Sequence, residues 1–317
     1  MYLYFFVKQN LINIIIIHNN SAKMLQKIRR PAVAGQFYDG NEESLRETIE
    51  KCFMDERGPK TLPKVNSGKK DVKGIIVPHA GFVYSGAIAA HSYNFLAKNG
   101  FADTFIILGP NHTGMGSGVS IITEGEWLTP FGTSKINEML AKQIRRDIID
   151  KDENAHKYEH SIEVQLPFLQ FIAGSQNFDF VPISMAIQDL KTAKDVGDII
   201  SNVIQDSEEK VVIIASTDFT HAGFNYSSMP PKGMKVEEYA KKQDEYAIDK
   251  IMNIDPEGLI KTVEEKTITM CGYGPVATML YATKKLGAKK AELLKYGTSC
   301  EVQPGKSCVG YGAIAVY

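Results

Sequence analysis

Three histidines of this chain each follow a short apolar run with the composition of a buried β-strand. These histidines and the runs before them are His79 after 74–77, His112 after 104–108 and His221 after 211–216. The carboxyl ends of parallel strands meet at one edge of a sheet, and ligand crevices form in the loops there. Imidazoles in such a crevice act as metal ligands or as acid–base groups. We therefore expect the three side chains to share a site, although any one of them alone is explained as a hydrogen-bonded turn residue.

Asp218 lies three residues before His221 in the same segment, STDFTH. A carboxylate commonly orients a metal-bound or catalytic imidazole, through a hydrogen bond or from the outer shell of the metal. We therefore expect Asp218 to be the partner of His221 in a catalytic acid–base pair.

A second group of ionisable residues, Glu159, His160 and Glu163, lies in the segment YEHSIEVQLPF. We predict a helix over 160–172, on which residues three or four apart share a face. Such pairs often lie on a solvated surface, but the apolar residues between them leave little exposed face here. We expect all three residues to line the pocket, with solvated helix surface as the alternative.

Cys271 lies in the segment ITMCGYGPVATML, just before an apolar helix predicted over 274–286. A thiol in a tight loop near the start of a helix lies close to the positive end of the helix dipole, which favours a thiolate. The alternative is that Cys271 packs as a small buried hydrophobic residue.

The chain has four cysteines, Cys52, Cys271, Cys300 and Cys308, without a CxxC pair or a dense framework. Such sparse usage is typical of a reducing cytoplasm. We therefore expect a cytoplasmic protein with free thiols. A cross-strand disulfide between Cys300 and Cys308, which flank a Pro-Gly turn, is the alternative.

Strand-like and helix-like segments alternate from about residue 30 to the C-terminus. The predicted strands are 74–77, 104–108, 119–123, 178–183, 211–216, 291–296 and 309–316. The predicted helices are 84–98, 135–149, 160–172, 189–205, 236–253 and 274–286. Several strands are continuous apolar runs, as expected for strands covered on both faces. The order predicts an α/β fold, a single layered domain with a mostly parallel or mixed central sheet flanked by helices.

The composition of the chain argues against nucleic acid as a partner and against a membrane span. The 317 residues carry 36 basic and 37 acidic side chains, a net charge of −1, and no segment is basic enough to neutralise many phosphates. Nucleic acid is therefore not an expected partner. The apolar run at 14–17 is far shorter than the roughly 20 residues that cross a bilayer, so we expect no membrane span. We expect residues 1–23 to be a disordered leader or a misassigned start, with a short signal peptide as the alternative, and the domain to span 24–317.

Seven motifs in sequence order resemble those of the Memo family: RRPAVAGQFY, VPHAGFVYSG, LGPNHTG, EHSIEVQLPFL, STDFTH, CGYGPV and the closing GYGAIAVY. The resemblance extends from about Arg30 to the C-terminus. It implies a fold similar to that of the class III extradiol ring-cleaving dioxygenases. It also implies that His79, His112 and Cys271 bind a metal ion and that Asp218 and His221 are the remaining pocket residues.

The cysteine separates this chain from those dioxygenases, which hold Fe(II) with two histidines and a glutamate. A thiolate is softer than a carboxylate and donates more charge, so it lowers the Lewis acidity of the metal. It also makes zinc and copper competitive with iron and can itself be oxidised. Ring cleavage therefore does not follow from the resemblance.

Two functions are compatible with these residues. The first is a non-haem metal protein, with iron (Fe²⁺) as the expected metal and zinc or copper as alternatives, that carries out oxidoreductase-type chemistry on a small molecule. In it, His221 is the acid–base or substrate-orienting group. The second is a non-catalytic module that binds a peptide or another anionic ligand in the same pocket. A zinc hydrolase has suitable ligands, but no general-base glutamate occurs at a motif spacing.

Overall fold

The computed structural model describes residues 27–66, 68–226 and 228–317. The predicted leader over 1–23 and the predicted domain start at Met24 lie outside the described residues. Among the residues described, no helix has both the length and the apolar character needed to cross a bilayer. All four cysteines are free thiols, as expected, and no disulfide joins Cys300 to Cys308.

A mixed sheet of twelve strands forms the centre of the described fold. The strands are β1 Ile28–Arg29, β2 Gly74–Val77, β3 Thr104–Pro110, β4 Val119–Ile121, β5 Glu126–Thr129, β6 Gly132–Ile136, β7 Asp150–Lys151, β8 Asp179–Met185, β9 Val211–Ser216, β10 His221–Gly223, β11 Ala291–Thr298 and β12 Ser307–Val316. Their order is β1-β5-β6-β8-β3-β9-β2-β12-β10, with β11 paired to β12 and β4 paired to β7 and β8. The predicted α/β class with a mixed sheet is confirmed.

Four parallel strands, in the order β8-β3-β9-β2, occupy the middle of the sheet. Strands β2, β3 and β9 are wholly buried, which explains their continuous apolar sequences. Val77 of β2 pairs with Ser216 of β9, and Leu108 of β3 pairs with Ala215 of β9. The carboxyl ends of these three strands therefore lie side by side at one edge, as the sequence predicted.

Nine α-helices of the described residues flank the sheet. They are α1 Glu42–Met54, α2 Phe82–Lys98, α3 Glu138–Ile144, α4 Asn154–Lys157, α5 Leu166–Ala173, α6 Leu190–Gln205, α7 Val236–Met252, α8 Pro256–Lys266 and α9 Tyr273–Lys285. Helix α2 packs on β2, β12 and α1, whereas α9 packs on β3, β9 and α6. These contacts enclose a large apolar core that includes the parallel strands.

The predicted helix over 135–149 is shorter than expected. Residues up to Ile136 belong to β6, and the helix runs only over Glu138–Ile144. Asn137 separates the two elements, because its side chain accepts a hydrogen bond of 3.0 Å from the backbone N–H of Leu140 and caps the helix.

The predicted helix over 160–172 begins later than expected. A 3₁₀ turn covers Glu163–Gln165, and α5 follows it with Pro167 in its first turn. Proline is tolerated there because the first backbone N–H groups of a helix have no partner within the helix. His160 therefore precedes the helix, and helical spacing does not decide where its side chain points.

Asp244 of α7 is a fully buried carboxyl group beside the sheet. Its Oδ1 accepts a hydrogen bond of 2.8 Å from the backbone N–H of Thr220, and its Oδ2 accepts one of 2.6 Å from the hydroxyl of Tyr296. Burial raises the pKa of Asp244 to about 7, although both hydrogen bonds oppose the shift. The carboxyl group thus binds its proton more tightly in the folded chain than in the unfolded chain.

We expect this burial to make the free energy of unfolding depend on pH. Between the ordinary pKa of 3.8 and the folded pKa of about 7, the folded chain keeps a proton that the unfolded chain loses. Stability therefore falls as pH rises through this window, and the loss is complete above the folded pKa. It amounts to at most about 4 kcal/mol, since one pKa unit corresponds to about 1.4 kcal/mol.

Asp244→Asn should reduce the difference between the unfolding free energies at pH 5 and pH 8, measured in urea, because asparagine does not titrate. The exposed neighbour on the same helix, changed as Glu245→Gln, should keep the wild-type difference. An equal difference in Asp244→Asn and wild type would show that another group titrates in this range.

Candidate metal centre

His79, His112 and Cys271 meet at the carboxyl edge of the parallel strands. One potential ligand atom from each residue lies within 4.8 Å of the other two. The Sγ atom of Cys271 is 3.2 Å from Nε2 of His79, and the imidazole centroids of His79 and His112 are 5.2 Å apart. His79 follows β2, His112 follows β3 and Cys271 precedes α9. Three distant parts of the chain thus bring the predicted ligands into one cluster.

His79 is held with its Nε2 atom toward the cluster. Its Nδ1 lies 2.9 Å from the hydroxyl oxygen of Ser216, the last residue of β9. The Ser216 hydroxyl donates its own hydrogen to the carbonyl of Ser161, 2.6 Å away, so its oxygen accepts from the Nδ1–H of His79. Burial and the neighbouring imidazoles hold the pKa of His79 well below its usual range. The imidazole is therefore neutral, with the lone pair that a metal ion needs on Nε2.

Gln165 completes the hydrogen bonding of Ser216. Its side-chain nitrogen donates to the Ser216 hydroxyl at 2.8 Å and to the carbonyl of Pro78 at 3.1 Å. Its side-chain oxygen accepts from the hydroxyl of Tyr93 at 2.6 Å. A buried polar network whose members all have partners specifies one arrangement strongly. The orientation of His79 is therefore set before any ligand arrives.

Glu159 orients His112 in a similar way. Its Oε1 lies 3.0 Å from Nδ1 of His112, and its Oε2 accepts from the backbone N–H of His112 at 2.5 Å. Burial by itself raises the pKa of Glu159, but the hydrogen bonds and charges of the neighbouring histidines outweigh it and lower the pKa to about 2. The carboxylate therefore accepts from Nδ1–H and leaves Nε2 of His112 for the cluster.

His112, Glu159 and His160 form a second group close enough to hold a metal ion. The Oε1 atom of Glu159 also accepts from the backbone N–H groups of His160 and Ser161, at 2.9 and 2.8 Å. With the two bonds from His112, both carboxylate oxygens are occupied by N–H donors. This group is better explained as the support of His112 than as a separate metal site.

The Cys271 thiol lies between His79 and the backbone of Asp218. It accepts a hydrogen bond of 3.2 Å from the backbone N–H of Asp218. Burial, together with the nearby Asp218 carboxylate, raises the pKa of the Cys271 thiol well above its usual range. In the protein chain alone, desolvation of the thiol outweighs the backbone dipoles that favour a thiolate. The thiol hydrogen has two acceptors within reach, Nε2 of His79 at 3.2 Å and the backbone carbonyl of Asp218 at 3.5 Å, and metal binding would displace it.

His221 begins β10 and lines the cleft beside the cluster. Its Nδ1 lies 3.0 Å from the carbonyl oxygen of Phe219 and 3.1 Å from that of Thr269. Since both neighbours are acceptors, Nδ1 carries the hydrogen and Nε2 is unprotonated in the neutral ring. Thr269 also exchanges two hydrogen bonds with the backbone of His221, at 2.9 and 2.7 Å, so the residue is held on two sides.

Asp218 and His221 line the same cleft, and the charge of His221 acts on the Asp218 carboxyl group, where it opposes the rise in pKa that burial causes. Within the described part of the chain, no hydrogen bond joins the side chains of Asp218 and His221. Oδ1 of Asp218 accepts instead from the backbone N–H of His79 at 2.8 Å, and burial raises the pKa of this carboxyl group. Asp218 therefore ties the loop after β9 to the loop that carries His79.

The three residues predicted to line the pocket, Glu159, His160 and Glu163, lie in different positions. His160 lines the cleft with its ring stacked on that of His112 at 4.7 Å, and burial lowers its pKa to about 4. Glu163 points away from the cleft, where it accepts from the guanidinium of Arg29 at 2.7 Å and from the hydroxyl of Tyr38 at 2.8 Å. Among the three, His160 faces the cleft, Glu159 supports the histidines and Glu163 anchors the segment before α1.

An open cleft of about 610 Å³ lies over the cluster. Aromatic rings and one ammonium group form much of its outer wall. These residues are Phe37, Tyr84, Phe224, Tyr226, Lys306 and Tyr311. A cleft of this volume is within the range of small-ligand sites, which combine apolar walls with a few directed polar groups.

Sequence reasoning missed Ser216, Gln165 and Thr269. Ser216 had a usable signal, because a hydroxyl residue ending a wholly apolar strand at the ligand edge is placed to contact the site. Gln165 and Thr269 had none, since only the fold brings them next to the histidines.

Ser216→Ala should weaken Zn²⁺ binding by roughly 10–100-fold, the usual effect of losing a partner that orients a ligand. The change leaves Nδ1–H of His79 without its acceptor and removes one of the two acceptors of the Gln165 amide. Chelator competition would measure the affinity. Ser184→Ala is the matched control, since Ser184 is a buried serine of the parallel strand β8 whose hydroxyl has no hydrogen-bond partner among the described residues. Equal affinity in Ser216→Ala and wild type would show that this hydroxyl does not orient His79.

Proteins similar in sequence cover nearly all of this chain. The MEMO1 family protein of Methanopyrus kandleri is 46% identical over 289 residues, which cover 90% of this chain and 98% of that protein. The MEMO1 family protein of Methanothermobacter thermautotrophicus is 45% identical over 291 residues, which cover 91% and 100%. That of Sulfolobus acidocaldarius is 43% identical over 290 residues, which cover 90% and 97%.

Among solved structures, an uncharacterized protein from Escherichia coli K12 aligns with 78% of this chain and 100% of its own chain, with a TM-score of 0.49 and 13% identity. A family profile described as Memo-like protein matches residues 29–315. With this profile and the identities to the archaeal proteins, the chain belongs to the Memo-like family.

Proposed function

We propose that this protein binds Fe²⁺ through Nε2 of His79, Nε2 of His112 and Sγ of Cys271, and that it carries out oxidoreductase-type chemistry on a small molecule in the cleft. The observation that carries the proposal is the convergence of the three donor atoms within 4.8 Å at the floor of an open cleft. The Nδ1 atoms of both histidines are already hydrogen-bonded to other partners, so only the cluster-facing nitrogens are available.

The donor set favours a transition metal. Two imidazoles and one thiol are poor ligands for Mg²⁺ or Ca²⁺, which prefer oxygen, but suit Fe²⁺, Zn²⁺ and copper. Three protein ligands leave positions open to the cleft, and iron bound there supplies a redox centre within reach of a substrate. Zinc and copper remain the alternatives, because a thiolate ligand also favours them.

His221 is the proposed acid–base group. It presents an unprotonated Nε2 beside the cluster, where it can accept a proton from a bound molecule and return it. His160 offers a second neutral imidazole on the cleft wall. Asp218 contributes by holding the His79 loop, and Glu159 by holding His112. We also propose a cytoplasmic location, with which the four free thiols agree.

A non-catalytic module that binds a peptide or another anionic ligand is the second candidate. The aromatic wall of the cleft and Lys306 favour it, because Lys306 forms no ion pair within the described residues and its ammonium is available to an anion. This function uses the same cleft but needs no turnover.

Cys271→Ser should abolish the thiolate charge-transfer band of the Co²⁺-loaded protein and weaken metal binding, if Cys271 is a ligand. Bound cysteine sulfur gives an intense near-ultraviolet band that nitrogen and oxygen ligands do not. Serine substitutions at the other cysteines, Cys52, Cys300 and Cys308, are the controls and should leave the band intact. A band that persists in Cys271→Ser would place the thiolate elsewhere.

Oxygen uptake by anaerobically purified, iron-loaded protein should separate the two functions. We expect uptake in the wild type and its loss in His221→Ala, which should retain stoichiometric iron because His221 is not a proposed ligand. Loss of iron in His221→Ala would make His221 a ligand and contradict its assigned role. Wild-type protein that takes up no oxygen, but binds an anionic peptide after metal removal, would favour the binding module.

A further inference from the structure

The peptide group between Phe219 and Thr220 links two side chains that do not touch each other. Its carbonyl oxygen, that of Phe219, accepts from Nδ1–H of His221 at 3.0 Å. Its N–H, that of Thr220, donates to Oδ1 of Asp244 at 2.8 Å. One rigid planar unit therefore has the cleft imidazole on one side and a buried carboxyl group on the other.

Asp244 is placed for this contact by the elements around it. It extends from α7 over Gly310 of β12, where any Cβ atom would collide with its carboxyl group. Gly310 also pairs with the same loop, because its backbone N–H donates to the carbonyl of Thr220 at 3.0 Å and its carbonyl accepts from the N–H of Phe219 at 2.9 Å. The absence of a side chain at Gly310 thus lets the carboxyl group reach the loop before His221.

We propose that Asp244 is a positioning residue for His221 and acts through the Phe219–Thr220 peptide group. A carboxylate that accepts from the N–H fixes the plane of the peptide and polarises it, so the carbonyl on the opposite side becomes a stronger acceptor. That carbonyl binds Nδ1–H of His221, so the interaction holds the imidazole in the tautomer with Nε2 unprotonated. A carboxylate in direct contact with a histidine has the same effect on its tautomer.

Asp244 is a second buried acid near His221, besides Asp218. Both carboxyl groups are buried near His221, but Oδ1 of Asp218 is bonded to the backbone of His79. Only Asp244 is joined to the His221 ring by a continuous series of hydrogen bonds among the described residues. The two acids therefore support different histidines of the same cleft.

The charge of Asp244 should determine how strongly it holds the His221 ring through the peptide group. Its pKa, raised by burial to about 7, lets the group change charge near neutral pH. Tyr296 of β11 is the titratable group in contact with it, and Glu301 and Cys308 influence Tyr296 electrostatically. Because the ionised carboxylate is the stronger acceptor, we expect the His221 ring to be held more tightly at pH 8 than at pH 6.

Nitrogen-15 NMR of histidine-labelled, Zn²⁺-loaded protein tests the proposal at pH 8. The inference rests on the proposed function only in that this function makes His221 the acid–base group. The experiment therefore measures the nitrogen signals of the His221 imidazole and not enzymatic activity. In wild type, His221 should show a protonated Nδ1 and an unprotonated Nε2. In Asp244→Ala, the Nδ1–H signal should shift and its exchange with water should become faster, because the Phe219 carbonyl loses the carboxylate that polarises it and only the Thr269 carbonyl keeps its full strength as an acceptor.

Two controls distinguish a specific effect on the orientation of His221 from a general disturbance of the fold. Tyr296→Phe removes the other hydrogen bond to the same carboxyl group but leaves Thr220 bonded to it, so His221 should keep the wild-type signals. The Nδ1–H signal of His79, which is bonded to Ser216, should stay unchanged in every variant.

Asp244→Asn keeps the size of the side chain, so it tests the positioning of His221 even if the alanine variant does not fold. Its neutral oxygen is a weaker acceptor, so at pH 8 the Nδ1–H signal of His221 should move part of the way toward its position in the alanine variant. Signals of His221 in Asp244→Asn that equal those of wild type at pH 8 would overturn the proposal, even if the variant were less stable. Failure of the protein to take up oxygen would not affect this outcome.

Discussion

The site depends on the parallel hydrogen bonding of β2 and β3 to the two sides of β9. Val77 lies opposite Ser216, and Leu108 lies opposite Ala215, so the three strands end within a residue or two of one another. The loops that follow carry His79, His112 and the segment from Asp218 to His221. A shift of the register would separate these loops and move each side chain to the opposite face of the sheet. The large buried core on both faces of the sheet maintains this register.

Each of these three cleft histidines is oriented by a hydrogen-bond acceptor at its Nδ1 atom. Nδ1 of His79 donates to the Ser216 hydroxyl, Nδ1 of His112 faces the Glu159 carboxylate, and Nδ1 of His221 faces the Phe219 carbonyl. In each case Nδ1 is hydrogen-bonded to the protein, and Nε2, which faces the cleft, keeps its lone pair. Such preorganisation reduces the rearrangement needed on binding, at the cost of burying polar groups that must all find partners. The high pKa of the Cys271 thiol follows from the same burial, and metal binding would supply the missing stabilisation.

The predicted fold was most accurate where the sequence pattern was strongest. Strands β2 and β9 were predicted residue for residue, because continuous β-branched runs bounded by turn residues have few alternatives. Helices α1 and α8 were missed, since their many charged residues dilute the apolar periodicity, although Asn41 and Asp255 cap their first turns. The helix expected over 135–149 lost its first residues to β6, because pairing with β5 and β8 overrode local preference.

The sequence by itself determined the α/β class and the position of His79, His112 and His221 beyond strand ends, because both follow from local patterns of residues. The family motifs added Cys271 to this set. Only the tertiary structure decided the partners: Asp218 supports His79, Glu163 binds Arg29, and Asp244 reaches the peptide before His221. A hydrogen bond depends on distances of a few tenths of an ångström and on direction. Residues far apart in the chain, such as Thr220 and Asp244, acquire that geometry only when helices and strands have packed.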